Sequence, residues 1–141
     1  MIGIPLGVLY ANVVESLFHR HVLHGLGRNP KSFWAFHLRD PQTKERLAIA
    51  VGVAAHLPLA PIAPFFVGTL AYCGYRFYRL HERGHLDPQW AREHLPWHYD
   101  HHMGPDPEKN WGIGLPIYDY VAGTRAPYAG TADEARATKA T

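Results

Sequence analysis

The chain has little of what marks disulfide-linked or nucleic-acid-binding proteins. Its 141 residues contain a single cysteine, Cys73, which excludes an internal disulfide and a cysteine-based zinc finger. The net charge is only +2 and no compact basic run exists, so no nucleic-acid partner is expected. Internal repeats, a P-loop and a dinucleotide fingerprint are also missing. At this length the chain is expected to form one domain.

Histidine, in contrast, is abundant, and four of the eleven histidines fall within residues 94–102. Pro96 suits the first turn of a helix, where a missing N–H costs nothing. A helix that begins there places His98, His101 and His102 at i, i+3 and i+4, on one face. Neutral imidazole is a common metal ligand. The turn therefore predicts three ligands, and a solvated histidine-rich surface turn is the alternative.

Two apolar stretches predict the framework that carries these histidines. Residues 2–18 have the length of a short membrane helix that ends at Arg20. Residues 47–80 contain Pro58, Pro61 and Pro64, which predict a helical hairpin with arms at about 46–57 and 65–80. His56 lies inside the first arm and is expected to pack with a backbone partner. The alternative is a buried hairpin in a soluble protein.

The distribution of basic residues predicts the orientation of this hairpin. Arginine and lysine precede it and follow it, whereas the turn between its arms carries no charge. By the positive-inside rule both ends face the cytoplasm. The predicted fold is therefore an all-α integral membrane bundle, made of a short N-terminal membrane helix and a proline-turned hairpin, with a histidine-rich cap facing the cytosol. Arg76, Arg79 and Arg83 are expected near lipid headgroups.

Two further histidine groups leave alternatives open. The segment His81-Glu82-Arg83-Gly84-His85 matches His-Glu-x-x-His, the helix motif of zinc metalloproteases, although Gly84 weakens a helix. His19 and His24 are five residues apart, or about 140° on a regular helix. Helical spacing alone therefore favours His21 over His19 as the partner of His24.

Taken together, these groups resemble the fatty acid hydroxylase/sterol desaturase superfamily. The resemblance covers roughly residues 8–125, and the membrane hydroxylase-like domain is expected to span residues 1–125. It rests on His19-x4-His24, His81-x3-His85 and His98-x2-His101-His102, and on Glu15, Asn110-x-Gly112 and Pro116-x2-Asp119-x3-Gly123-Thr124. It implies an integral membrane enzyme in which two irons use O2 to oxidise a C–H bond of a fatty acyl chain, sterol or carotenoid. Zinc is a possible substitute for iron.

The resemblance also implies the ligands. They are His19, His24, His37, His81, His85, His98, His101 and His102, with Asp40 and His21 as further candidates. The segment from His37 to Pro41 stands where the family has His-x2-His-His, so two ligands are absent there. A metal-binding protein without oxygenase activity is therefore the main alternative, followed by a zinc protease.

The remaining expectations concern the surroundings of the metals. Ligating histidines need hydrogen-bond acceptors that orient their rings. The candidates for such supporting positions around the metals are Glu15, Glu82, His94, Asp100, Asn110 and Asp119. Phe65, Phe66, Tyr72 and Tyr75 are expected to line a substrate channel. Electrons must come from a separate ferredoxin, cytochrome or reductase, because no flavin, haem or ferredoxin motif is present. Residues 126–141 are expected to form a disordered tail.

Overall fold

Prolines and glycines divide the chain into helices of very different lengths. The computed structural model describes residues 2–29 and 42–139, and in these ranges it contains helices and no strand. The predicted all-α class is therefore confirmed. The α-helices are α1 (Gly3–Leu17), α2 (Gln42–His56), α3 (Pro64–Leu86), α4 (Pro88–His94), α5 (Pro96–Met103), α6 (Ile117–Ala122) and α7 (Ala132–Lys139).

The predicted helical hairpin is confirmed. Helix α2 ends at His56, a 3₁₀ turn spans Leu57–Leu59, and α3 begins at Pro64, whose missing N–H suits the first turn. Helix α3 extends to Leu86, beyond the predicted end near residue 80, and so carries His81 and His85. Helices α1 and α2 each pack against α3, which forms the centre of the bundle.

The membrane part of the predicted fold lacks the helices it requires. Within residues 2–29 and 42–139, no helix combines the length and the apolar character needed to cross a bilayer. Helices α1 and α2 contain 15 residues each, and α3 becomes charged from Arg76 onward. The predicted spanning bundle is therefore not supported.

Two short helices follow α3 as the proline positions predict. The Asp87 carboxylate caps α4 by accepting a hydrogen bond from the Trp90 N–H (2.9 Å), and Pro88 occupies the first turn. Helix α4 ends at His94, and Pro96 begins α5 after a break at Leu95. The break turns α5 back towards α3. As a result, Gly84 of α3 and His98 of α5 approach each other closely.

The C-terminal segment differs from the expected disordered tail. Residues 126–139 include α7 and pack against the end of the domain. Glu134 is buried and accepts two hydrogen bonds from the Arg92 guanidinium (2.6 and 2.8 Å), and the Ala129 N–H donates to Asp100. Composition pointed to disorder because α7 has little apolar surface, but the segment is held by polar contacts instead.

Candidate metal centre

Helices α3 and α5 present five histidines to each other. His81 and His85 are one turn apart on α3, and their Nε2 atoms are 2.9 Å apart. On α5, the predicted face is formed: the His102 ring lies 4.6 Å from that of His98 and 4.9 Å from that of His101. The His85 and His102 rings are 4.4 Å apart, so the faces of the two helices meet.

A π-helix supplies the other two histidines. Residues Phe18–Gly25 continue α1 with π-helical hydrogen bonding, a rare form that often marks functional sites. Its wider turn brings residues five apart to the same side, and the His19 and His24 rings lie 4.7 Å apart. Regular helical spacing favoured His21, whose side chain instead is exposed. The structure therefore brings His19 and His24 together, the pair that the resemblance implied, and helical periodicity did not indicate this because it assumes a regular helix.

The seven histidines form two sets that share one member. In each set, one ligand atom per residue lies within 4.8 Å of all the others. The first set is His19, His24, His101 and His102, and the second is His81, His85, His98 and His102. Each set thus has three imidazoles of its own besides His102. Three protein ligands with an open position are the usual arrangement at a catalytic metal.

The distances between ring nitrogens fit metal coordination. Two nitrogens bound at about 2.1 Å to one ion, at angles between 90° and 109°, are separated by about 3.0–3.4 Å. The His81–His85 separation is 2.9 Å and the His24–His101 separation is 3.4 Å, in each case between Nε2 atoms. The first pair lies on α3, and the second joins the π-helix to α5. The residues present therefore fit a metal ion in each set.

Burial favours the neutral form of several clustered imidazoles, the form that binds a metal. Desolvation lowers the pKa of His19, His98 and His101, and the neighbouring imidazoles lower the pKa of each further. His98 is almost fully buried, and neither of its ring nitrogens has a hydrogen-bond partner in the described part of the chain. A buried polar group without a partner costs about 1–3 kcal/mol. An ion bound by His98 would remove part of this cost.

The imidazoles are oriented by acceptors at their Nδ1 atoms. His19 Nδ1 lies 2.9 Å from the Trp111 carbonyl oxygen, and His101 Nδ1 lies 2.6 Å from that of Lys109. Backbone carbonyls only accept, so both rings carry a proton on Nδ1 and direct Nε2 into the cluster. His81 Nδ1 lies 3.0 Å from the carboxylate of Glu45, which is 1% exposed.

Glu45 was missed in the sequence, although a signal for it exists. Glu45 and His81 are equidistant from Ala63, near the turn of the hairpin, so an antiparallel register places them side by side. The predicted arm began at about residue 46 and excluded Glu45. The carboxylate of Glu45 is the one acidic group that contacts a clustered imidazole among the hydrogen bonds described for residues 2–29 and 42–139.

Asp119 and Asn110 act on the cluster through the backbone. The Asp119 carboxylate accepts hydrogen bonds from the Trp111 and Gly112 N–H groups, both at 2.8 Å, and from the Thr124 hydroxyl at 2.7 Å. Asn110 has a φ of 62° and accepts from Arg125 and from the Ala126 N–H. The two side chains thereby hold the loop whose carbonyls orient His19 and His101, and neither contacts an imidazole in the described hydrogen bonds.

Glu15 and Asp100 also differ from their predicted role as direct acceptors. Glu15 accepts hydrogen bonds from Asn12 and from the Gly114 N–H (both 2.9 Å), which ties α1 to the loop before α6. Asp100 pairs with Arg125 at 2.7 Å and is 1% exposed. Both carboxylates support the elements that carry the histidines, because their oxygens are occupied by partners outside the cluster.

Several predicted residues lie away from the cluster. His94 stacks on Trp90 with ring centroids 5.0 Å apart and contacts the Trp90 carbonyl, because the break at Leu95 separates it from α5. Glu82 is half-buried and interacts electrostatically with Arg46, and none of the hydrogen bonds described for residues 2–29 and 42–139 joins it to an imidazole. His37 and Asp40, predicted as a ligand and a candidate ligand, fall outside the described residues.

The predicted substrate channel is placed differently. Phe65, Tyr72 and Tyr75 are 57–61% exposed, and Phe66 packs on Tyr10 and His56. A cavity of about 140 Å³ lies instead between α1 and α2 over α3, and none of the four predicted side chains lines it. The reason is rotational: α3 turns Phe65, Tyr72 and Tyr75 outward. It turns Leu70, Gly74 and Phe77 towards the cavity between α1 and α2.

Gly84 allows α5 to approach α3 at the cluster. A Cβ atom added at Gly84 would lie 2.7 Å from His98 Cδ2 and 3.2 Å from His98 Nε2. Any side chain there would displace His98. The glycine that weakens the helix in the His81–His85 motif therefore has a packing reason.

Comparison of the chain with protein-family models, with curated proteins and with solved structures finds no match. The assignment of a function therefore depends on the geometry of the cluster and on the sequence resemblance.

Proposed function

We propose that this chain is a membrane-associated, O2-dependent oxygenase that hydroxylates or desaturates a lipid at two histidine-bound irons. The observation that carries the proposal is the pair of four-imidazole sets that share His102. A zinc protease needs one ion and leaves the set of His19, His24 and His101 without a role. Imidazole alone does not distinguish iron from zinc or copper, so the choice of iron comes from the resemblance.

The exposed apolar surface supports contact with a membrane. Large apolar side chains lie exposed on α1, on α2, on the turn and on the first half of α3. They include Leu6, Leu9, Val13, Leu47, Val51, Leu57, Ile62, Phe65, Tyr72 and Tyr75. Apolar patches of this extent mark contact with proteins or membranes. In the proposed arrangement, the end of the bundle that carries these apolar side chains is embedded among acyl chains, and the cluster lies at the cytoplasmic face.

The chain's own residues prepare the centre for oxidation chemistry. When bound, two irons would supply O2 activation and oxidation of a lipid C–H bond. Glu45 and the Trp111 and Lys109 carbonyls hold the Nδ1 protons, so that the Nε2 lone pairs of three histidines face the interior. The ring of Phe77, 5.4 Å from that of His81, separates the cluster from the cavity beneath it.

The overall reaction requires a partner that supplies electrons. Hydroxylation consumes O2, two electrons and two protons, places one oxygen in the C–H bond and releases the other as water. The chain has no flavin, haem or ferredoxin motif, so a separate ferredoxin, cytochrome or reductase must supply the electrons.

Lipid profiling tests the proposal. Cells expressing the wild type should contain a lipid that has gained one oxygen or lost two hydrogens, and His101→Ala should abolish it. His21→Ala is the matched control, because His21 is exposed and lies outside both sets. Iron-supplied wild-type protein should carry two metal ions per chain. A content below one ion would show that the dinuclear assignment is wrong.

The same samples distinguish the alternatives. Two bound metals without a lipid product would indicate a metal-binding protein that lacks oxygenase activity. One zinc and peptide cleavage that Glu82→Gln abolishes, with His101→Ala nearly unaffected, would indicate a protease.

A further inference from the structure

The cavity between α1 and α2 has the form of a binding site for one slender ligand. Helices α1 and α2 pack on α3, and the cavity of about 140 Å³ lies between them. Its wall is almost entirely apolar. The residues that line it include Tyr10, Glu15, Gly52, His56 and Phe77. An engineered cavity of about 150 Å³ accommodates a single benzene ring, so this cavity holds only part of a long ligand, and the rest must extend through its open side.

The two ends of the cavity differ in chemistry. One end is lined by Phe77, whose ring is 5.4 Å from that of His81 in the cluster. The other end carries the hydroxyl of Tyr10 and the imidazole of His56, 3.1 Å apart. Tyr10 precedes His19 by nine residues, which is about 14 Å along a helix. A chain that lies in the cavity thus reaches from a polar pair to the neighbourhood of the metals.

The hydrogen bonds of His56 determine what Tyr10 offers a ligand. His56 Nδ1 lies 2.8 Å from the Gly52 carbonyl oxygen, which only accepts, so Nδ1 carries the proton. In the neutral ring Nε2 is then an acceptor, and the Tyr10 hydroxyl donates to it. The Tyr10 oxygen therefore presents lone pairs only, and Tyr10 is 43% exposed. A ligand that pairs with it must donate a hydrogen bond.

Charge at the cavity excludes an anionic ligand. No lysine or arginine is among the described residues that line the cavity, and the one ionisable acid among them is Glu15. A carboxylate head group would find no cation there, and it would face the lone pairs of Tyr10 as an acceptor against an acceptor. A neutral hydroxyl group at the same position can donate a hydrogen bond to the Tyr10 oxygen.

We propose that this cavity binds an unbranched aliphatic alcohol, with its hydroxyl group donating to Tyr10 and its chain running towards Phe77 and the cluster. The assignment of this alcohol as the substrate rests on the proposed oxygenase function. The binding itself requires no metal.

Photo-crosslinking tests the binding. A dodecanol that carries a diazirine in mid-chain is irradiated with the protein in phosphatidylcholine nanodiscs, and mass spectrometry locates the adduct. The adduct should map to α1 and α2 near Val14 and Val53, which line the cavity. Unlabelled dodecanol should displace the probe about fivefold more effectively than dodecane or dodecanoate, as expected for one hydrogen bond.

Three variants locate the determinants. Tyr10→Phe should make dodecanol no better a competitor than dodecane. Gly52→Leu should remove the adduct, because Gly52 lines the cavity and a Cβ there meets no atom within 4 Å, which leaves room for the added side chain to occupy the cavity. Tyr72→Phe is the matched control, since Tyr72 is exposed and lies outside the cavity.

The outcomes separate this inference from the proposed function. Equal competition by the three compounds, or wild-type labelling in Gly52→Leu, would overturn the binding site even if lipid oxidation is found. The predicted labelling pattern without an oxidised lipid would support the cavity and count against the oxygenase. His98→Ala should retain the labelling, because His98 does not line the cavity.

Discussion

Replacing Gly84 by alanine should separate metal binding from folding. The new Cβ atom would lie 2.7 Å from His98 Cδ2, whereas an ordinary contact begins at 3.4 Å. Because Gly84 is buried inside α3, His98 must give way. Metal–ligand distances are held to within about 0.2 Å. Relieving the contact between the new Cβ atom and His98 requires a larger displacement than this, which removes His98 from effective coordination.

The expected effect on stability is small by comparison. Alanine in place of glycine gains about 1 kcal/mol in a helix interior, and overpacking costs about 1–3 kcal/mol. The free energy of unfolding of the metal-free protein should therefore fall by no more than about 2 kcal/mol. The affinity of the set formed by His81, His85, His98 and His102 should fall at least 10- to 100-fold, the range seen when only the groups supporting metal ligands are disturbed.

Competitive titration against a chelator measures the affinity, and elemental analysis measures the number of metals per chain. Gly68→Ala is the matched control on the same helix, because a Cβ there meets no atom within 4 Å. It should bind metal as the wild type does and be more stable by up to about 1 kcal/mol. Wild-type metal affinity in Gly84→Ala would refute the role given to His98.

Two further predictions concern groups that the sequence did not reveal. Glu45→Gln should weaken metal binding about 10- to 100-fold in the same titration, because His81 loses its charged acceptor. Glu93→Gln, which alters an exposed carboxyl group, is the control. Equal losses in both variants would contradict the role of Glu45 as the acceptor that orients His81. The Arg92 guanidinium, together with the Gly130 N–H, lowers the pKa of Glu134 to about 2. A depressed carboxyl pKa stabilises the folded state above the ordinary value near 4.5, and this contribution is lost as the pH falls towards 2. The difference in Tm between wild type and Glu134→Gln should therefore be largest at neutral pH and shrink below about pH 4.5; a constant difference would show that the ion pair does not hold α7.

The sequence by itself determined the features that depend on neighbours along the chain. Pro96 and the spacing of His98, His101 and His102 were sufficient to predict a helix with three imidazoles on one face. The prolines after His56 predicted the hairpin. Each of these follows from backbone restrictions and helical periodicity, which act over a few residues.

Tertiary structure decided the rest of the centre, because its contacts join residues far apart in the chain. A π-helix brought His19 and His24 to one side, the register of the hairpin placed Glu45 beside His81, and the Trp111 carbonyl became an acceptor for His19. The tail expected to be disordered contains α7, whose buried Glu134 pairs with the partly exposed Arg92, 42 residues away, and such a contact leaves no mark in local composition. Periodicity identifies the imidazoles on each helix, but only the packing of α1, α3 and α5 decides that they meet.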